Sequence, residues 1–503
     1  MPADIFIAFA YTHCGMKKLT NKCKDNVELL KNILTSEDIL VFGFETKDGA
    51  ACAAVYADGM TDKALLGEQI ARPLSAENAP GTADEAAKLL QAPEIKKEKD
   101  AAKIADEVLA GNTALFIDGV SEALIAGMKK LSMRAIMEPP GAVAVKGPRE
   151  GFIEDLKTNM SLVRNRLRTP KLQFKTLTAG KQSKTAIAVG WLEGIADEEI
   201  VKKIENKIGC IEIDGIPDSS YVAKFLAERP GSLFKPAGTT EKPDVLAAKM
   251  LEGRVAVLVD GSPIALTLPY LLVEDFQGAQ DYFVSPYRAS VSRILRFLGV
   301  FISVFLPAFY VAAQLFKLQI LPLSFLLTIS GSIQGIPLSP SLELFFLLLV
   351  LEILIEASVR MPKYVALALS VIGALVLGDT AVKAGLVSSS AIIITALSGI
   401  SAYTVPDLVG TTSILRIVFV VVAGSIGTYG VVLMTALILY YLVTADAYGA
   451  PMLAPFSPIV RRDLKDSLVK TSLYGLDKRP EVFKTKNETR LKNEGAKVNH
   501  GQN

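Results

Sequence analysis

The chain has 503 residues, half of them hydrophobic, and its 54 basic and 52 acidic residues leave a formal net charge of only +2. This balance argues against nucleic acid as a partner, which a basic surface would be needed to bind. With two histidines, one of them His500 in the polar C-terminal region, zinc chemistry and histidine-based catalysis have almost no residues to work with.

Charged residues are distributed very unevenly. Residues 294–443 contain only eleven Asp, Glu, Lys or Arg, whereas charges run freely through 1–293 and 444–503. This pattern predicts a polar N-terminal half, a membrane block and a polar tail. The predicted ranges are two α/β subdomains at 1–140 and 141–285, a helical membrane domain at 286–445, and a tail at 446–503 with a disordered end.

The N-terminal segment "MPADIFIAFAYTHCGMKK" carries a short apolar run with no basic stretch before it. A buried strand is therefore predicted here rather than a signal peptide. The four cysteines, Cys14, Cys23, Cys52 and Cys210, match no metal-ligand spacing and are typical of a reducing compartment.

The polar half resembles itself in three places. "NVELLKNIL" (26–34) is similar to "NMSLVRNRL" (159–167), "AVYADGMTDKAL" (54–65) to "AVGWLEGIADEEI" (188–200), and "VLAGNTALFIDGVSEALI" (108–125) to "MLEGRVAVLVDGSPIALT" (250–267). The offsets are 133, 134 and 142 residues, in the same order along the chain. Two related α/β subdomains are expected, with amphipathic helices near 98–110 and 197–207.

Paired Asp-Gly dipeptides follow the strands in the third match. Asp118 and Asp260 are interpreted as turn residues rather than catalytic carboxylates. No phosphate-loop or serine-nucleophile motif occurs, so we predict neither an enzyme nor a bound cofactor or metal. Arg164, Arg166 and Arg168 are expected on a solvated helix face, with lipid headgroups or another subunit as the alternative.

Six apolar segments follow, and about 20 helical residues are needed to cross a bilayer. The segment 319–340 is short and interrupted by Gly and Pro, which predicts a broken or re-entrant helix. The glycines at the middle of 414–443 predict close helix packing. Basic residues on both flanks predict cytoplasmic ends and an even number of crossings, for which four plus partial segments fits best. The segments are 294–316, 319–336, 341–357, 364–382, 388–405 and 414–443.

A few charges lie inside the membrane block. Asp379 and Lys383 are four residues apart among glycines and small residues, and Glu356 is placed to pair with Arg360 on one helix face. Charges at this depth face protein or a water-filled path. Either Lys383 and Arg360 lie at membrane boundaries, or the Asp379 region and the face carrying Glu352 and Glu356 line an ion path.

The chain resembles the A subunits of the GerA-type nutrient germinant receptors of endospore-forming bacteria. The resemblance covers nearly the whole chain and includes several motifs, among them "DYFVSPYRASVSRILR" (281–296), "EASVRMP" (356–362), "VIGALVLGDTAVKAGLVS" (371–388) and "GAPMLAPFSP" (449–458). Two departures from the family pattern are Ile355 and Lys242, where the family usually has arginine.

The resemblance implies a subunit in the inner spore membrane, with its N-terminal domain and tail in the cytoplasm. It implies a homo-oligomeric ring, for which a pentamer is one candidate size, with a transporter-like B subunit and a lipoprotein C subunit as partners. Nutrient bound to B would open a cation path through the ring. An accessory channel like stage V sporulation protein AF, of the same family, and a non-conducting membrane scaffold are the alternatives. The pore or gate candidates are Gly378, Asp379, Val382, Lys383 and Val387, and the candidate polar face is Glu352, Glu356 and Arg360.

Overall fold

The computed structural model describes residues 19–92, 94–129, 146–316, 331, 336–362, 365 and 380–491. The chain divides into two compact units. The α/β unit comprises Met1–Pro230, Pro236–Tyr270 and Lys478–Arg490, and the helical unit comprises Gly231–Lys235, Leu271–Asp477 and Leu491–Asn503. These units divide the chain differently from the four ranges predicted above, which stay a prediction.

The first half of the α/β unit is an antiparallel five-stranded sheet with the strand order β1-β2-β4-β5-β3. Alternate residues of β4 face opposite sides, so Ala114 and Phe116 pack with one helix layer and Leu115 and Ile117 with the other. The strands are β1 (Ile39–Glu45), β2 (Ala51–Ala57), β3 (Ile95–Glu98), β4 (Thr113–Ile117) and β5 (Ala123–Ala126). The helices are α1 (Cys23–Ile33), α2 (Lys63–Leu66), a π-helical turn (Gly67–Ala71), α3 (Arg72–Ala76), α4 (Ala83–Leu89) and α5 (Ala101–Leu109).

The second half is another antiparallel five-stranded sheet, with the order β6-β7-β9-β10-β8. Its strands therefore follow the same order as those of the first sheet, position for position. The strands are β6 (Leu172–Ala179), β7 (Thr185–Leu192), β8 (Gly238–Thr240), β9 (Val255–Val259) and β10 (Ala265–Leu268). The helices are α6 (Leu156–Arg166), α7 (Glu198–Gly209), α8 (Ser219–Leu226) and α9 (Pro243–Leu251).

Equivalent asparagine side chains form the same hydrogen bonds in the two halves. Asn26 is buried in α1, where its Oδ1 accepts from the Thr20 amide at 2.8 Å and its Nδ2 donates to the Thr20 carbonyl at 2.7 Å. Asn159 in α6 forms the same pair of bonds with the backbone of Ile153. Each side chain satisfies backbone groups just ahead of its helix. The internal likeness seen in sequence thus extends to hydrogen bonding.

The repeated Asp-Gly dipeptides hold the starts of these helices. Asp118 Oδ1 accepts from the Cys23 amide at 2.8 Å, and Asp260 Oδ1 accepts from the Leu156 amide at 3.2 Å. Gly119 has a φ of 90°, in the left-handed region that glycine adopts without strain. The turn interpretation is confirmed, and the aspartates also satisfy free amides at two helix N-termini.

A buried ion pair joins the two halves of the α/β unit. Arg164, on α6, is 1% exposed, and its Nε and Nη2 donate to the two carboxylate oxygens of Asp38 at 2.6 and 2.8 Å. Nη2 also lies 3.2 Å from Ser36 Oγ and 3.1 Å from the Leu172 carbonyl. The expectation that Arg164 faces solvent is wrong, because Asp38 meets it inside the fold. Arg166 is partly exposed and pairs with Glu150, as a surface arginine would.

Residues Lys478–Arg490 form a strap that completes the α/β unit. Arg479 Nε donates to the Leu251 carbonyl at 2.7 Å, and the Arg254 guanidinium lies 4.6 Å from the centre of the Phe483 ring. Gly253, at a φ of 105°, leaves room for the strap, since a Cβ there would meet the Thr485 side chain. A segment far along the chain therefore belongs to this early domain.

The helical unit is built from long helices. They are α10 (Pro286–Phe316), α11 (Pro340–Arg360), the short α12 (Ala381–Lys383), α13 (Ser389–Ala402), α14 (Val409–Ile426) and α15 (Thr428–Thr444). A small hairpin of β11 (Asp446–Ala447) and β12 (Ala450–Pro451) follows them. Most of the predicted segments 319–336 and 364–382 lie outside the described residues.

The predicted segment 414–443 is two helices rather than one. Gly427, at a φ of 72°, ends α14 and begins α15 in a conformation that residues with a Cβ avoid. Close packing does explain its neighbours: a Cβ on Gly424 would meet Ser341, and one on Gly430 would meet Val422. The break could not be read from hydropathy, because both sides of it are equally apolar.

An ion network holds the start of α10 to the segment after α15. Arg293 is fully buried; its Nε donates to Asp281 Oδ2 at 3.0 Å and its Nη1 to Asp466 Oδ1 at 2.9 Å. Arg296 binds both oxygens of Asp281, at 2.7 and 2.9 Å, and Lys470 Nζ donates to the Asp281 carbonyl at 2.6 Å. Two arginines used to predict the orientation of the first span thus have structural partners.

Acid is expected to weaken this network through Asp281. Burial raises the pKa of this carboxyl, but the hydrogen bonds and charges of Arg296 and Arg293 outweigh it and hold the pKa below its usual range. The stabilisation is therefore complete above the unfolded-state pKa of about 3.9 and is lost as pH falls through the lower folded-state pKa.

Thermal unfolding between neutral and acid pH should show the loss. Asp281→Asn should remove this acid-dependent component, whereas the exposed control Asp407→Asn should keep it. Equal acid profiles for Asp281→Asn and the parent would contradict the prediction.

Candidate functional site

The helical unit contains long apolar helices. Among the described residues, Pro286–Phe316 and Pro406–Ile426 are long and apolar enough to cross a membrane by length and composition, and Ser389–Ala402 and Thr428–Thr444 are shorter apolar helices. Large apolar side chains on these helices are exposed, including Phe301, Ile393, Ile400, Ile414 and Val432. Such a band needs an apolar partner, which lipid would supply.

The predicted gate segment follows directly on residues that the structure does not describe. Gly378 and Asp379 lie outside the described residues. Val382, in α12, is half-buried and packs against the core of the helical unit, and Val387 is 5% exposed within that core. Lys383 is exposed. The structure thus places Val382 and Val387 on one apolar cluster and turns Lys383 away from it.

A tight turn separates these two valines. Gly385 has a φ of 66° and its amide donates to the Val382 carbonyl at 3.0 Å, while Leu386 is 55% exposed. Helix α13 then begins after Ser388, whose Oγ accepts from the Ala391 amide at 3.2 Å. The turn is thus exposed between two valines that pack on the core of the helical unit.

Glu352 takes part in a buried polar network that joins four helices. Its carboxylate, on α11, accepts from Nη2 of Arg416 on α14, and the Arg416 side chain is 1% exposed against 27% for Glu352. Nη1 of Arg416 lies 3.2 Å from Ser398 Oγ on α13, which donates to the Ser303 carbonyl of α10 at 2.7 Å. Within an apolar bundle, this guanidinium neutralises the carboxylate.

Glu356 and Arg360 form the predicted pair one turn further along α11. Arg360 Nε donates to Glu356 Oε1 at 2.8 Å, and the side chains are 66% and 78% exposed, respectively. This pair is solvated, whereas Glu352 is held by Arg416. The three residues of the predicted polar face therefore lie in two different environments.

Sequence reasoning missed two buried charges. Arg416 was counted among the eleven charges of the membrane block but given no partner, although it is the only charge in the segment 414–443. Glu343, at the start of α11, is also fully buried, and its Oε1 accepts from the Ser388 amide. A lone charge in an apolar segment signals a buried partner, and this signal was available for Arg416.

Comparison with known proteins identifies the family. The family model described as "Bacillus/Clostridium GerA spore germination protein" matches residues 27–482. Spore germination protein KA of Bacillus subtilis is 33% identical over 475 residues, covering 93% of this chain and 87% of that protein. Uncharacterized membrane protein YfkQ of the same organism is 31% identical, covering 93% of this chain and 92% of its own length. The chain belongs to the GerA family of spore germination proteins, which confirms the resemblance.

One solved structure is similar to part of this chain. The crystal structure of the N-terminal domain of the A subunit of the Bacillus megaterium spore germinant receptor GerK3 covers 51% of this chain and 98% of its own, at 25% sequence identity and a TM-score of 0.39.

Proposed function

We propose that this chain is the A subunit of a nutrient germinant receptor in the inner spore membrane. Several copies form a ring, and the ring conducts cations out of the spore when nutrient binds a partner subunit. Membership of the GerA family supports the receptor role, and the apolar helices support a place in the membrane. The family resemblance supplies the partners, a transporter-like B subunit and a lipoprotein C subunit.

The gate is proposed at the turn from Val382 to Val387, and the observation that carries it is the two-sided setting of Val382. This side chain is half-buried on the core cluster, while the following residues up to Leu386 are exposed. An apolar constriction can close a pore by dewetting. A side chain that is partly held by its own subunit can be drawn toward or away from a central path by small shifts in packing. Gly378 and Asp379 belong to the same proposed path.

The ion pairs within the subunit decide which carboxylates are proposed to select cations. The Glu352 carboxylate is paired with Arg416, so selection for cations is assigned to Asp379 and to the exposed Glu356 rather than to Glu352. Rings of carboxylates from several copies attract cations and repel anions. The α/β unit and the segment after α15 are proposed to lie on the cytoplasmic side.

Replacing Val382 with alanine is expected to open the gate without nutrient. The change removes two methylene equivalents, each worth about 0.8 kcal/mol when fully buried, from a half-buried side chain, so the closed arrangement loses about 0.8 kcal/mol of packing. A bias of that size shifts a two-state equilibrium about fourfold. Purified protein in liposomes should therefore release trapped rubidium about fourfold faster than the parent, and spores carrying the variant should germinate spontaneously.

Val432→Ala is the matched control. Val432 is 63% exposed on α15, outside the gate turn, so the same loss of volume should leave rubidium release unchanged. Variant spores of Val382→Ala that stay dormant and ion-tight would contradict the gate assignment. A monomeric mass for the parent protein in detergent, together with liposomes that never leak, would favour a non-conducting scaffold.

A further inference from the structure

The Glu343 carboxylate is buried with one oxygen unsatisfied. Glu343 lies in the first turn of α11 and is 0% exposed. Its Oε1 accepts from the Ser388 amide, but Oε2 has no hydrogen-bond partner among the described residues. A carboxylate oxygen without a hydrogen-bond partner is costly in an apolar interior. Among the described residues no cationic side chain bonds to it, which leaves room for a bound cation.

A chain of hydroxyl groups from two other helices begins at Ser388, whose backbone amide donates to this carboxylate. Ser388 Oγ lies 3.3 Å from Ser390 Oγ, which lies 2.6 Å from the Tyr310 hydroxyl of α10. Gln314, one turn further along α10, is 8% exposed, and both atoms of its amide lack partners in the described part of the chain. We name Glu343, Ser388, Ser390 and Tyr310 the Glu343 cluster. Apolar side chains of the core, including Leu344, Val387 and Ala391, surround it.

We propose that the Glu343 cluster binds a monovalent cation. Carboxylate and hydroxyl oxygens are ligands suited to hard cations, which they hold by replacing water. One carboxylate balances one positive charge, whereas a divalent ion would leave a net charge in the apolar core. The cation would link α10, α11 and α13.

This inference deepens the proposed function, because it places a cation of the conducted class beside Val387, but its test does not require conduction. The test is thermal unfolding of the full chain in lipid nanodiscs, in potassium, sodium or choline chloride at equal ionic strength. Potassium or sodium should raise the melting temperature by roughly 2–6 °C over choline, with saturation, since choline is too large to enter.

Glu343→Gln should abolish this response, because the amide can still accept from Ser388 but carries no charge. Glu356→Gln, the same change on the same helix at an exposed pair, should keep the parent response. Tyr310→Phe, which removes one cluster hydroxyl, should shift half-saturation to a higher cation concentration. This variant and the parent titration decide the matter even if Glu343→Gln fails to fold.

An identical melting temperature of the parent in potassium, sodium and choline would overturn the proposal, as would a full cation response in Glu343→Gln. The two proposals fail separately. Loss of rubidium conduction with a persisting cation-dependent melting temperature would remove the channel and leave the site. Conduction without any cation-dependent stabilisation would remove the site and leave the channel.

Discussion

Replacing Arg416 with alanine is expected to lower the free energy of unfolding of the helical unit by about 3–5 kcal/mol. The guanidinium is almost fully buried and binds both Glu352 and Ser398. Its removal leaves the Glu352 carboxylate in an apolar bundle without its ion-pair partner. Breaking one side of a buried ion pair costs far more than the pair itself contributes, because the remaining charge stays desolvated.

Thermal unfolding of the full chain in lipid nanodiscs would measure this loss. The double variant Glu352→Leu with Arg416→Leu should recover most of it, since neither charge then needs a partner. Arg360→Ala is the control on the neighbouring pair, where both side chains are exposed and only about 0.3–0.5 kcal/mol is expected. Equal losses of unfolding free energy for Arg416→Ala and Arg360→Ala would show that the buried pair contributes no more to stability than the exposed pair.

Arg164→Ala is expected to have an effect of similar size in the α/β unit, about 3–5 kcal/mol. The Asp38 side chain is only 3% exposed, and without Arg164 it would keep just the Ser36 hydroxyl within reach. Because the pair joins the two halves of the unit, its loss should also loosen them against each other. Chemical denaturation should then show a lower midpoint, and protease cleavage between the halves should become faster.

Arg166→Ala provides the comparison on the same helix. Arg166 and Glu150 are 33% and 49% exposed, so their pair is screened by water and should contribute only about 0–1 kcal/mol. The two arginines are indistinguishable in the sequence pattern, yet a difference of several kcal/mol is expected between them. If both variants unfold at the same denaturant concentration, the structural weight assigned to Arg164 is wrong.

Much of the α/β half could be predicted from local pattern. The apolar runs 113–117 and 255–259 are strands, and the helices predicted near 98–110 and 197–207 are Ala101–Leu109 and Glu198–Gly209. Alternation and turn residues act over a few positions, so one sequence is enough to reveal them. The strand order depends on pairing between distant segments. Only the sequence similarity between the two halves indicated that the same order would occur in both sheets.

The charged sites were harder to predict for a related reason. Asp38 and Arg164 are separated by 126 positions, and Glu352 and Arg416 by 64. The residues next to either arginine in the sequence do not indicate whether its side chain contacts water or a carboxylate. The i, i+4 pair of Glu356 and Arg360 was predictable because both partners share one turn of helix.

The strap at Lys478–Arg490 has a consequence for how the protein is made. Translation delivers both five-stranded sheets first, then every helix of the bundle, and only afterwards the residues that cover Leu251 and Arg254. The ribosome must therefore finish the hydrophobic segments before the earliest domain can reach its final packing. The second half of the α/β unit is therefore completed only by residues synthesised after the helices of the bundle.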